Sequence, residues 1–198
     1  MPQGVSVKAR HIAVLTLSCL LLLSGLAVAA GVPESPKKQT KLGKYVTAAE
    51  AYALYRKDKD HTAILDVRTP EEYDLIGHPD MAKNIPIMLR TGAFDVAGKR
   101  YPLAPNKDFV SLVEKAYPKN EQLIVMCRSG DRSAMAANVL ADAGFTNVYT
   151  MVDGFEGDKV GDKNDPHFGK RTRDGWKNSG NPWTYDLDPA LVYQPGAK

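Results

Sequence analysis

The sequence predicts an α/β fold with a mostly parallel central sheet covered by helices on both faces. Three observations carry this expectation. From Tyr45 onward, strand and helix signals alternate along the 198-residue chain, the pattern of parallel strands joined by crossover helices. Ala63-Ile64-Leu65-Asp66-Val67 is a compact apolar run of the kind found in strands buried on both sides. Gln122-Leu123-Ile124-Val125-Met126 is a second such run, followed by a short polar loop and an Ala-rich segment.

Each element has a local reason. Tyr45-Val46 is a short strand candidate, and Thr47 followed by Glu50 forms a capping box that opens a helix running to about Arg56. Directly after the first buried run, Thr69-Pro70-Glu71-Glu72 is a second capping box, with Pro at the first helical position, where its missing N–H is no loss. A helix is expected from Asp108 to Tyr117, and another from Ser133 to Ala143, closed by Gly144 as a C-terminal cap. Asn147-Val148-Tyr149-Thr150-Met151 supplies a further strand. A stretch from Glu156 to Asp174, dense in Gly, Asp and Lys, then precedes Trp176 and a tail that reaches Trp183 and Tyr185.

The N-terminus reads as an export signal. Lys8 and Arg10 precede an apolar run from Ile12 to Ala30, with Ala27-Val28-Ala29 or Val28-Ala29-Ala30 as a small-residue cleavage site. The expected organisation is a signal at 1–30, a linker rich in Pro, Lys, Gly and Ser at 31–43, and one domain from 44 to 198 carrying a polar insertion at about 156–174. The expected location is outside the cytoplasm, in the periplasm, without membrane contact once the signal is removed. An uncleaved anchor is the rival reading, because the run approaches the ~20 apolar residues that span a bilayer. Cys19 reads as a small member of that run. Removing Lys8 and Arg10 from 26 bases leaves 24 against 23 acids, so the charge of +3 becomes +1. Nucleic-acid binding gets no support from such a balance. Cys127 is then the one cysteine left, which excludes an intramolecular disulfide even in an oxidising compartment.

The residues around Cys127 point to chemistry. A thiolate is a far better nucleophile than a thiol, and a position before a helix N-terminus favours it through the positive end of the dipole. Cys127 stands there, at the C-terminal end of a strand, where ligands bind on parallel sheets. Ser129 and Gly130 are small enough to let successive backbone N–H groups turn inward as an anion-binding nest, and Arg128 and Arg132 add positive charge.

The loop Cys127-Arg128-Ser129-Gly130-Asp131-Arg132 resembles the active-site loop of the rhodanese family. Asp66-Val67-Arg68-Thr69-Pro70-Glu71-Glu72-Tyr73 is similar to that family's first signature, and Gly77-His78 with Ala82-Lys83-Asn84-Ile85-Pro86 is similar to the stretch after it. Gly154-Phe155 and the segment from Trp176 to Pro182 match its closing Gly and Trp elements. Four ordered parts over roughly residues 45 to 185 are far more specific than one motif. The second loop Arg follows the Cys by five positions. The resemblance associates that spacing with sulfur transfer, whereas related phosphatases and arsenate reductases have six.

The resemblance implies a thiosulfate sulfurtransferase working by double displacement. Cys127 would take a sulfane sulfur from thiosulfate or a persulfide donor and pass it to a thiol or cyanide. The backbone N–H groups from Arg128 to Ser133 would stabilise the persulfide, with the Arg128 or Arg132 side chain attracting the donor. No metal or organic cofactor is required. The alternative is a rhodanese-like binding module that does not turn over and docks a periplasmic oxidoreductase through its insertion and tail.

The remaining residues have plainer readings beside functional ones. Asp66 either orients the loop or caps local backbone, and Arg68 is expected to pair with Glu71 or Glu72 at the start of the helix. A carboxylate at Asp131 opposes thiolate formation, so it points outward or pairs with Arg132, and it is expected to favour a thiol-bearing or cationic partner over small anions. His78 reads as structural, His61 and His167 as surface, and no pair of them has metal-ligand spacing. Trp176 and Trp183 read as core. The insertion is a tolerated surface loop or a partner-docking loop.

Overall fold

The computed structural model describes residues 30–196 together with Met1. The expected signal and its rival, the anchor, fall outside the described residues. The chain runs β1 (Tyr45–Val46), α1 (Ala48–Lys57), β2 (Thr62–Asp66), α2 (Pro70–Ile76), β3 (Lys83–Asn84), β4 (Met88–Arg90), β5 (Leu103–Pro105), α3 (Phe109–Ala116), β6 (Gln122–Met126), α4 (Asp131–Asp142) and β7 (Val148–Met151). Five strands form one sheet in the order β1-β7-β6-β2-β3, and all of its pairings are parallel. The α/β expectation therefore holds. Among the described residues no helix is long and apolar enough to cross a membrane.

The strands separate two apolar cores by simple alternation. Leu123, Val125 and Cys127 face a cluster that includes Phe109 and Val113 of α3 and Ala136, Ala137 and Leu140 of α4. Ile124 and Met126 face the opposite cluster, with Ala48 and Ala51 of α1, Phe155 and Trp176. Both capping boxes form: Thr47 and Glu50 at α1, and Thr69 and Glu72 at α2, with Pro70 at its first position. Each such cap is worth about 1 kcal/mol.

The structure departs from expectation in three places. Helix α4 begins at Asp131 rather than Ser133, because Gly130 takes the N-cap position with φ +107°, where only glycine is at ease. Asp131 thereby lies in the first turn, where the helix dipole favours a carboxylate. Strands β4 and β5 form an antiparallel pair, Met88 opposite Pro105 and Arg90 opposite Leu103, in a region without a strand-like pattern in the sequence. Residues 31–43 are mostly exposed but docked rather than free: the Lys41 N–H donates to Asn138 Oδ1 at 2.8 Å, and Leu42 packs on the α4 side of the core.

The insertion folds on itself, since Val160 exchanges backbone hydrogen bonds with Lys170 and Gly169, both 2.9 Å. The tail covers the β3 edge, where the Asn84 N–H donates to the Leu191 carbonyl at 2.8 Å. Occupying that edge leaves fewer strand groups open to foreign pairing.

Candidate active site around Cys127

Strand β6 delivers Cys127 to the rim of the sheet. The Val67 N–H donates to the Met126 carbonyl at 2.8 Å, fixing the end of β6 against the residue that follows β2. Cys127 is only 2% exposed. Its sulfur accepts the Gly130 N–H at 3.2 Å, and as a thiol it donates to Ser133 Oγ at 3.7 Å. The Ser133 hydroxyl sits 2.7 Å from the Gly130 carbonyl and 3.2 Å from that of Met151. The sulfur thus lies in the turn that opens α4, the end of the helix dipole that stabilises negative charge. A side chain at Gly130 would place its Cβ 2.4 Å from the Val152 carbonyl oxygen, so no larger residue fits the turn.

A second layer holds the loop from beneath. The Phe155 N–H donates to the Cys127 carbonyl at 2.7 Å, and the Glu156 N–H to that of Arg128 at 3.0 Å. Gly154 permits this approach: at φ +64°, a Cβ there would come within 2.5 Å of the Cys127 oxygen and 2.6 Å of the Ser129 nitrogen. The Trp176 N–H in turn donates to the Gly154 carbonyl at 2.8 Å, and the Trp176 ring is fully buried. The closing Gly and Trp elements are therefore one clamp on the active loop. Their order in the sequence was visible, but the contacts of Gly154 and Phe155 with the Cys127 loop and of Trp176 with Gly154 were not.

The arginines do not share one role. Arg132 donates two hydrogen bonds to Glu72, at 2.6 and 2.7 Å, so of the two arginines expected to draw a donor it is the one held by a carboxylate. Burial alone would raise the Glu72 carboxyl, but the hydrogen bond and charge of Arg132, with the Thr69 N–H, outweigh it and hold the group below its ordinary value. Arg128 is exposed, with no carboxylate partner among the described residues. Asp131 is exposed and makes no ion pair with Arg132, which settles its two readings in favour of the outward one.

Asp66 and Arg68 form a fully buried pair, with Nη2 to Oδ2 at 2.6 Å and Nε 3.0 Å from each carboxylate oxygen. This corrects the expected pairing of Arg68 with Glu71 or Glu72, since Glu72 is taken by Arg132 and Glu71 is exposed. Asp66 caps local backbone by accepting the Arg68 N–H at 3.0 Å. Its link to the loop is indirect: the Arg68 guanidinium lies 4.3 Å from the centre of the Phe155 ring, whose backbone holds Cys127. His78 is buried and stacks on Tyr73 at 3.6 Å, a structural place, while His61 and His167 are exposed. Trp183 is half-buried against the core beside Phe155.

Beside the loop opens a cavity of about 690 Å³, between α2, the β4–β5 pair and the side chains of Arg128 and Arg132. Arg90, Arg100 and Tyr101 on its wall come from a segment that carries no motif, so only the fold reveals them.

A parallel α/β sheet whose central strand delivers a cysteine to a helix N-terminus defines a class of α/β domains with a cysteine at the C-terminal rim of the sheet. The chain belongs to the rhodanese-like family: the family profile described as Rhodanese-like domain matches residues 47–159. It is 40% identical over 91 residues to Senescence-associated protein DIN1 of Raphanus sativus, covering 46% of this chain and 45% of that one. It is 37% identical over 122 residues to Rhodanese-like domain-containing protein 15, chloroplastic, of Arabidopsis thaliana (62% and 58% covered). It is also 38% identical over 91 residues to that plant's Thiosulfate sulfurtransferase 16, chloroplastic (46% and 68%). The matches span 45% and 58% of the length of the first two relatives. Among solved structures, Rv0390 from M. tuberculosis superposes with a TM-score of 0.55 at 26% identity, covering 72% of this chain and 97% of that one.

Proposed function

We propose that the chain is a sulfurtransferase that carries a sulfane sulfur as a persulfide on Cys127, taking it from thiosulfate or a persulfide donor and passing it to a thiol or cyanide. The observation that carries this reading is the Cys127 sulfur accepting the Gly130 N–H at 3.2 Å at the start of α4. That contact and the dipole behind it favour an anionic sulfur, whether thiolate or persulfide. The name of one relative, a thiosulfate sulfurtransferase, supports the same reading.

In the first step the Cys127 thiolate attacks the outer sulfur of thiosulfate; the new S–S bond forms as the old one breaks, and sulfite leaves with the electron pair. In the second, an acceptor thiolate or cyanide attacks that outer sulfur and Cys127 leaves as thiolate. Arg128 is the loop cation free to draw the donor, while Arg132 secures the loop to α2 through Glu72.

Intact-mass analysis after thiosulfate, with Cys127→Ser alongside, tests the reading. The expected result is a gain of one sulfur atom on the wild type only, discharged by cyanide as thiocyanate. Failure to load from thiosulfate and from a persulfide donor would instead favour the binding module. We further propose, on the sequence pattern alone, that residues 1–30 direct export. N-terminal sequencing of the mature chain is expected to begin at Ala30 or Gly31.

A further inference from the structure

The segment ahead of β1 reaches the back of the Cys127 turn through one side chain. Lys38 lies outside residues 47–159, which match the family profile. Its stem nonetheless covers the face of Gly130, where a Cβ would come within 3.0 Å of Lys38 Cδ and 3.1 Å of Cε. Gly130 is the residue whose N–H meets the Cys127 sulfur at 3.2 Å. The Lys38 ammonium donates to the Val152 carbonyl at 3.1 Å and to Asp158 Oδ2 at 2.6 Å, with 15% of the side chain exposed. A Cβ at Gly130 would meet that same Val152 oxygen at 2.4 Å, so the turn and the lysine rest on one carbonyl. The segment itself is held to α4: Asn138 accepts the Lys41 N–H at 2.8 Å and donates to the Gln39 carbonyl at 3.3 Å. Behind the turn lies a hollow bordered by Glu34, Asp153, Asp158 and Asp174, and Lys38 is the one cation among its described lining residues.

We propose that Lys38 is a positioning residue for Cys127, fixing the Gly130 turn from behind and standing between the sulfur and the carboxylates of that hollow. The inference rests on the sulfurtransferase reading above and deepens it by naming what keeps the sulfur anionic. The aliphatic stem over Gly130 shields its N–H from water, and a hydrogen bond in such a setting acts more strongly on the charge it faces. The ammonium offsets Asp158 and its neighbours, whose like charge otherwise disfavours a thiolate or a persulfide anion. The other charged groups around the sulfur are the Arg132–Glu72 and Asp66–Arg68 pairs, with Arg128 and Asp131 on the loop itself. None of these is hydrogen-bonded to Lys38, so the effect of the lysine can be read apart from theirs.

The test uses the full chain and follows iodoacetamide alkylation against pH, read at the Cys127 peptide by mass spectrometry, which needs no sulfur donor. Lys38→Met keeps the stem and removes the charge, whereas Asp158→Asn keeps the lysine and removes the carboxylate that neutralises it. The midpoint of the profile should rise by about 0.5 pH unit in Lys38→Met and fall by about as much in Asp158→Asn. Each shift is about a threefold change in thiolate below the midpoint, the size of one screened charge near the site. Both variants break the same ion pair, so a lysine that only ties the segment down would move the profile in the same direction in both. Lys41→Met breaks the exposed Lys41–Asp142 pair on the same segment and should leave the midpoint unchanged. Midpoints that move together or not at all, or a shift in Lys41→Met equal to that in Lys38→Met, would overturn the proposal. Sulfur loading is measured separately by intact mass. A wild type that loads no sulfur removes the sulfurtransferase reading, while opposed midpoints in the two variants still uphold the placement of Lys38.

Discussion

Arg132 and Glu72 lie 60 residues apart in sequence and are joined by two hydrogen bonds of 2.6 and 2.7 Å. The pair ties the first turn of α4 to the first turn of α2, and Glu72 also closes the capping box with the Thr69 N–H at 3.1 Å. One carboxylate thus orders two helix starts, one of which carries the Cys127 cradle.

Glu72→Ala removes both contacts and leaves Arg132, three-quarters buried or more, without its partner. The expected cost is about 3 kcal/mol by urea unfolding, with slower sulfur loading. The sign with pH follows from the lowered Glu72 carboxyl. Its stabilisation is complete above the ordinary carboxylate value and is lost as pH falls through the lower folded one. Wild type and variant should therefore converge in strongly acid solution, and a gap that widens there would refute the pairing as the source.

Gly154→Ala should be far more damaging than an alanine at another left-handed glycine. Its Cβ would meet the Cys127 carbonyl oxygen at 2.5 Å and the Ser129 nitrogen at 2.6 Å, whereas one at Gly144, φ +91°, meets nothing within 4 Å. Gly144→Ala carries only the backbone penalty, about 1 kcal/mol. Gly154→Ala must also move the loop, at a cost of about 3 kcal/mol or more. Thermal unfolding of the two variants side by side checks this, and equal losses would show that the clamp yields freely.

What the sequence made legible was what neighbours in the chain decide. The capping boxes at Thr47 and Thr69 need only residues three apart, and β6 follows from one apolar run. Arg68 was misread because it precedes α2, so helical spacing does not govern it; its side chain turns back to Asp66 in the adjoining strand. The β4–β5 wall, the Gly154 clamp and the Arg132–Glu72 pair depend on contacts between distant segments, and no local pattern encodes them.

Asp153 offers a titration in the opposite sense. Burial pushes its carboxyl up to about 6 from 3.8, although the N–H groups of Gly175 and Ala48 partly oppose the rise. The folded state then holds a proton that the unfolded chain has released, so its contribution is fully present below 3.8 and lost as pH rises through about 6. The span corresponds to on the order of 3 kcal/mol. Asp153→Asn keeps a neutral polar group there and does not titrate. Wild-type stability minus variant stability should fall between pH 4 and 6, and a flat or rising difference would rule out an elevated Asp153.

The burial of Cys127 makes its reactivity depend on the size of the reagent. Its sulfur is enclosed by the Gly130 N–H and Ser133 Oγ, with 2% of the residue exposed. A small alkylating agent such as iodoacetamide can follow the path a sulfur donor would use, but a maleimide on a bulky polymer requires the loop to open. The polymer reagent should label the native protein at least about a hundredfold more slowly than the urea-unfolded chain, as an opening costing a few kcal/mol demands. Iodoacetamide should show a much smaller ratio. Gly154→Ala should narrow the gap between the reagents, since the Phe155 and Glu156 N–H groups can no longer hold the loop at 2.7 and 3.0 Å. Rapid labelling of the native wild type by the polymer would mean that the cradle stands open to protein-sized reagents, and the loop would not be the barrier that its burial implies.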